Sequence, residues 1–307
     1  MSDATMPGVQ QPPPLGGYLE VMGRRLWFHR AGSGSPPVVF LPGGGAIGLD
    51  YWNVHDRVAR LTTSVLYDRA GTGWSERVDL RRTSAEVIDE ARELLRMVAL
   101  PAPYLLVGHS LGGLYARHWA TRFPADITGL VLLDPAHEDY SAHMPSEMAK
   151  RREAWDPDRV LPAKLPKEVL AFYSGLFAKE MGGWAADIRE PLVERHVSPD
   201  QIRVGLEEAK HVDRLYDEMR RAGPLPNLPL IVLASTQTDA FKTAVSAGQS
   251  EDLLRQEIEG KNRLCATLAA SVPQGELRLV DAGHFTLHLR HPEAVQRAVQ
   301  DLLSRAT

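Results

Sequence analysis

Cysteine is almost absent. Cys265 stands alone among 307 residues, so an intrachain disulfide is excluded. Its setting, Asn262-Arg263-Leu264-Cys265-Ala266 on a segment of helical periodicity with no basic cluster to activate a thiolate, marks it as a small buried hydrophobe. A charge excess of either sign is also missing: Lys+Arg 35 against Asp+Glu 39 leaves a net charge of -4, too little for a field that holds nucleic acid or an anionic membrane. The uncharged stretch from Ala31 to Leu49 is interrupted by glycine and proline, so it does not read as a membrane span. The first residues, Met1 to Pro7, have neither a basic start nor an apolar core, and without a secretory signal the expected location is the cytoplasm. No His-Glu-x-x-His pair and no phosphate loop ending in Gly-Lys-Ser occurs, and His137, Glu138, Asp139 and His143 read as a solvated polar turn, so neither a metal nor a cofactor is expected. What is present, 44% hydrophobic and 24% charged residues, is the make-up of an ordinary folded, water-soluble protein.

Residues 1–16, with Pro12, Pro13 and Pro14 in succession, read as a disordered leader. Tyr18-Leu19-Glu20-Val21 and Arg25-Leu26-Trp27-Phe28-His29 then form a hairpin around Gly23, and Val38-Val39-Phe40-Leu41 and Ser64-Val65-Leu66-Tyr67 are short apolar runs suited to strands buried on both faces. A helix follows with Val87, Ile88, Ala91, Leu94, Leu95 and Val98 on one stripe and a capping box from Thr83 and Glu86. The strand-then-helix beat continues through Leu105-Leu106-Val107 and Gly129 to Leu133, then stops. From His137 to Gly223 the chain turns helical, with aromatics such as Phe172, Tyr173, Phe177 and Trp184 and a helix start at Ser198-Pro199. Buried strands resume at Leu230 to Leu233 and Leu277 to Val280, with a helix from Ser250 to Ala270 between them and another from Pro292. The fold class expected is α/β: a mostly parallel, doubly wound sheet from residues 17–136 and 224–307, with residues 137–223 inserted as a helical lid.

The chemistry is expected at the carboxyl ends of the strands, where such sheets collect ligands. Val107-Gly108-His109-Ser110-Leu111-Gly112-Gly113 puts a serine where a buried strand turns abruptly into a helix, a nucleophile elbow whose glycines relieve crowding on either side. Serine needs a base and the base needs an orienting carboxylate. His284, directly after the last strand in Asp281-Ala282-Gly283-His284-Phe285, is the candidate base, ahead of His288 in the following segment. The chain order Ser110, Asp239, His284 makes Asp239 the first candidate acid; Asp134, in Leu133-Asp134-Pro135, is the alternative, with a turn former before proline as its plain reading, and Asp281 is too near His284 in sequence. Pro42-Gly43-Gly44-Gly45 brings backbone close to a ligand, and Leu111 opens a helix, so the N–H groups of Gly44 and Leu111 are the candidate oxyanion donors, with Gly45 a further option.

Together these residues resemble the α/β-hydrolase fold superfamily from about Tyr18 to Leu303. Tyr67-Asp68-Arg69-Ala70-Gly71-Thr72-Gly73-Trp74-Ser75 is similar to the family's turn after its fourth strand, in which Asp68 and Arg69 brace the loop, and Gly283-His284-Phe285 is similar to its catalytic-histidine turn. Pro42 departs from the family, which usually has histidine there; proline has no N–H and fixes its own backbone, so the oxyanion loop must be held in another way. The resemblance implies a cofactor-free serine hydrolase of a carboxylic ester or lactone. Amidase, aminopeptidase, carbon–carbon hydrolase and haloperoxidase chemistry use the same triad. A non-catalytic ligand-binding protein on the same fold is the rival from another class.

Overall fold

The computed structural model describes residues 12–154 and 165–305. Most of the expected leader lies outside the described residues. Its last part is packed, because Trp27 Nε1 donates to Leu15 O at 2.9 Å. Eight strands follow: β1 (Gly17–Val21), β2 (Arg24–Ala31), β3 (Val38–Leu41), β4 (Ser64–Tyr67), β5 (Tyr104–His109), β6 (Ile127–Leu133), β7 (Leu230–Ser235) and β8 (Gly275–Val280). They form one sheet in the order β1-β2-β4-β3-β5-β6-β7-β8, antiparallel at β1–β2 and β2–β4 and parallel at every later pairing. The strand order reverses between β3 and β5, so the loops leaving those two strands flank the sheet's crevice.

Every residue of β3, β4, β5 and β7 is buried, as continuous apolar runs require when helices cover both faces. On one face lie α2 (Ser84–Met97), whose Thr83–Glu86 capping box forms as expected, and α3 (Leu111–Arg122), with Ile88, Leu94 and Leu114 in the core. On the other, α1 (Trp52–Val58) and the last helix, Pro292–Arg305, bring Val54, Val58, Val295 and Val299 against Phe40 and Leu133. Cys265 is buried as expected, and burial pushes its thiol up to about 12. The strand at Leu277 to Val280 differs from expectation. It is the sheet edge, leaving Leu279 exposed, and Arg278 pairs with Glu276 and Asp301 there.

Between β6 and β7 the described residues form helices only: α4 (Tyr140–His143), α5 (Ser146–Glu153), α6 (Lys167–Glu180), α7 (Ala186–His196), α8 (Pro199–Lys210) and α9 (Val212–Ala222). Ser198 is the N-cap residue of α8 and Pro199 its first helical residue. After β7 come α10 (Ala240–Val245) and α11 (Glu251–Ala270). Among the described residues no helix is long and apolar enough to cross a membrane.

Candidate active site

Ser110 joins β5 to α3 with φ 50° and ψ −117°, a conformation L-residues avoid unless the surroundings enforce it. The enforcement is visible in the backbone: Ser110 N donates to Leu133 O at 2.9 Å, and Ser110 O accepts from Gly113 N at 2.9 Å and Ala136 N at 2.8 Å. Three glycines make the turn sterically possible. A Cβ on Gly108 would lie 2.6 Å from Gly112 O, one on Gly112 would lie 1.8 Å from Leu41 O, and one on Gly113 would lie 2.6 Å from Pro135 Cβ. Gly112→Ala must therefore push β3 and the loop after it away from the elbow; overpacking of this kind costs about 1–3 kcal/mol or more, and thermal denaturation should show a clearly lowered midpoint. An unchanged midpoint would mean that the elbow is not packed this tightly.

His284 lies on the turn after β8, where its Nε2 is 3.2 Å from Ser110 Oγ. Its Nδ1 is 3.1 Å from Asp134 Oδ2, so an Nδ1–H tautomer satisfies both contacts. The two carboxylates ranked from sequence are thereby reversed in placement. Asp134 follows β6 at φ 42°, and its carboxylate also accepts from Ser235 N at 2.9 Å, from the Ser235 hydroxyl and from Lys261 Nζ at 2.8 Å. Asp239 instead supports the turn from beneath: Oδ1 caps α10 through Lys242 N at 2.8 Å, and Oδ2 accepts from Phe285 N at 2.8 Å. Gly283 is glycine because a Cβ there would meet Asp239 Oδ2 at 2.4 Å. His288 is buried and stacked on Tyr51 at 4.4 Å, with neither ring nitrogen hydrogen-bonded to Ser110.

On the other side of Ser110, the N–H groups of Gly44 and Leu111 have no acceptor among the hydrogen bonds of the described residues, while Gly43 N donates to Tyr51 Oη at 3.2 Å and Gly45 N to Glu208 Oε2 at 2.7 Å. Gly45 is thus already engaged as a donor. Gly43, Gly45 and Gly48 also have the spacing of a dinucleotide-binding fingerprint, but a carboxylate against the loop opposes a pyrophosphate there. Asp68 braces its own loop as expected, accepting from Gly48 N at 2.6 Å and Trp74 N at 2.8 Å. Arg69 reaches further, to Pro42 O at 2.9 Å and Gly43 O at 2.8 Å.

Two participants, His109 and Lys261, were not picked out from sequence. His109, the residue before the elbow serine, is buried under the site, with Nδ1 2.7 Å from Tyr51 Oη and Nε2 3.0 Å from His284 O, so it ties the histidine turn to the core. Burial, with His284 and His288 nearby, holds it well below the usual imidazole value and keeps it neutral. Lys261 of α11 approaches His284 Nδ1 at 3.4 Å. Its only sequence signal is a lysine four residues from Cys265 on a buried helical stripe. Burial alone would raise Asp134, but Lys261 and His284 outweigh it and keep the carboxylate ionised, well below its ordinary range. Burial first, then the Lys261 charge, lowers His284 from its ordinary 6.5 despite Asp134.

Comparison with known proteins follows the same lines. YqjL, an uncharacterized protein of Bacillus subtilis, is 36% identical over 129 residues, which is 40% of this chain and about half (49%) of its own length. A thermophilic esterase from Thermogutta terrifontis has the same fold, with a TM-score of 0.65 at 19% identity over 95% of this chain and 99% of that one. So has Est816, described as an N-acyl homoserine lactone degrading enzyme, with a TM-score of 0.56 at 17% identity over 92% and 99%. The family model for the alpha/beta hydrolase family matches residues 38–298, and with the sheet order and the elbow this establishes that the chain belongs to the alpha/beta hydrolase family.

Proposed function

We propose that the protein is a serine hydrolase of carboxylic esters or lactones, acting through Ser110, His284 and Asp134. The observation that carries this reading is the alignment of three groups from three strand ends: the hydroxyl 3.2 Å from one imidazole nitrogen and the carboxylate 3.1 Å from the other. Serine alone is a weak nucleophile. His284 removes its proton as Oγ attacks the carbonyl, Asp134 stabilises the imidazolium, and the free N–H groups of Gly44 and Leu111 take the charge that develops on the carbonyl oxygen. His284 then protonates the departing alcohol, and water attacks the acyl-enzyme with the same histidine as base. Epoxide and alkyl-halide opening at such an elbow use a carboxylate nucleophile, whereas this chain has serine.

Residues 137–223 act in this reading as a lid over the core formed by residues 17–136 and 224–307. An aromatic row supports an apolar acyl side. Phe177 of α6 packs on Phe241 at 4.8 Å and Phe241 on Phe285 at 5.9 Å, ending beside His284. The two structural neighbours, an esterase and an N-acyl homoserine lactone degrading enzyme, fit this substrate class. A panel of p-nitrophenyl esters and lactones of graded size tests it: turnover of apolar acyl esters or lactones is expected, and no turnover of any member by folded protein would reject it.

The pH dependence has a definite sign. His284 must be neutral to act as base, and its value is lowered, so kcat/KM should hold as pH falls through 6.5 and decline only below it. Lys261→Met removes the nearby cation and should move the decline upward. A wild-type decline centred above 6.5, or no movement in the variant, would contradict this electrostatic arrangement.

A further inference from the structure

A trans peptide unit is planar, with its carbonyl and the following N–H pointing in opposite directions, so whatever grips Gly43 O sets the aim of Gly44 N–H. Arg69 Nη2 grips that carbonyl at 2.8 Å while Nη1 takes Pro42 O at 2.9 Å, the remaining hydrogen-bonding handle on a residue that has no N–H. The guanidinium is held in turn by Glu208 of α8, Nε to Oε1 at 2.7 Å and Nη2 to Oε2 at 2.7 Å, and both side chains are buried. Glu208 Oε2 also accepts from Gly45 N at 2.7 Å. The peptide units on both sides of Gly44 are therefore pinned, one by Arg69 and one by Glu208. The insertion helix sits directly on this loop: Gln201 Nε2 donates to Gly45 O at 3.0 Å, and a Cβ on Gly45 would lie 2.7 Å from the Cα of Gly205, a glycine in the body of α8.

We infer that Arg69 and Glu208 are positioning residues for the oxyanion donor, so that the helical insertion aims Gly44 N–H through a buried ion pair reaching across 139 residues of sequence. The inference rests on the serine-hydrolase reading above. A planar fork is required at Arg69, because one cation must reach two carbonyls and two carboxylate oxygens together, which a lysine ammonium cannot do in the same geometry. A helix that only covered the site would need none of these contacts.

The test compares Glu208→Gln and Arg69→Lys with Asp200→Asn, all in the full chain. Asp200, also on α8, pairs with Arg77 of the core at 2.7 Å and with Arg195 of α7 at 2.9 Å without touching the loop. On an activated ester, Glu208→Gln and Arg69→Lys should lower kcat by about 10–100-fold with KM within about threefold, a misaimed oxyanion donor being felt in the transition state alone. Binding of an aryl trifluoromethyl ketone should weaken in parallel, and Asp200→Asn should stay within about threefold of wild type in kcat. Equal kcat in all three variants and wild type, or losses confined to KM, would overturn the inference. Should Glu208→Gln fail to fold, Arg69→Lys, which keeps the buried charge, decides by the same readouts. Wild-type protein that hydrolyses no ester and takes no fluorophosphonate would instead remove the triad reading, and this inference with it.

Discussion

Ser110→Ala is expected to lower kcat on any ester substrate by about 10⁴–10⁶-fold while leaving the fold unchanged. The hydroxyl's one side-chain partner among the described hydrogen bonds is His284, and the bonds that hold the elbow run through the Ser110 backbone, so alanine removes the nucleophile and leaves the turn's supports in place. The N–H groups of Gly44 and Leu111 persist, and a small residual rate over water is expected from them. Activity measured beside circular dichroism and a thermal midpoint separates lost chemistry from lost structure. A variant of wild-type midpoint that still turned over esters within about tenfold of wild type would mean that another group attacks the carbonyl.

Asp134→Asn should be nearly as damaging, and Asp239→Asn should not. An amide at position 134 can offer a donor to His284 Nδ1, which favours the Nε2–H tautomer and turns the base away from the serine proton; substitutions of this kind lower kcat by about 10⁴-fold. It also leaves the Lys261 ammonium beside an uncharged partner, so some loss of stability accompanies the kinetic effect. Asp239→Asn keeps one oxygen for the α10 cap and loses one acceptor at either Lys242 N or Phe285 N, a change expected to cost about 1 kcal/mol of stability and less than about tenfold in kcat. Parallel measurement of kcat and thermal midpoint on both variants decides the matter. The reverse pattern, a kinetic collapse in Asp239→Asn alone, would return the acid's role to Asp239 and require the histidine turn to rearrange in solution.

These two carboxylates also show which features a sequence makes legible. Elements set by local chemistry read correctly: the Thr83–Glu86 cap, the hairpin at Gly23, the buried runs of β3 to β5, and the elbow, whose glycines carry a steric requirement that any strand-to-helix turn of this tightness shares. The carboxylate placed beside His284 did not, because Asp134 and Asp239 both fall between Ser110 and His284 in the chain, so chain order cannot separate them. Side-chain contacts in the assembled sheet do: Asp134 Oδ2 lies 3.1 Å from His284 Nδ1, whereas Asp239 is taken up by Lys242 N and Phe285 N. Arg69 reads as a brace from its motif, yet its guanidinium reaches Pro42 and Gly43 while held by Glu208, a helix-face carboxylate with no local sign of burial. The apolar run at β8 looked like an interior strand because periodicity reports the character of side chains and is silent about which strand ends the sheet.

Fluorophosphonate labelling followed by peptide mapping tests the central claim most directly, since the probe reacts only with a serine whose base and oxyanion donors are assembled. One adduct per chain, located on Ser110, absent from Ser110→Ala and formed far more slowly by Asp134→Asn, is the expected result. Folded protein that takes no adduct, or takes it on another residue, would contradict the assignment of Ser110, His284 and Asp134 as a working triad.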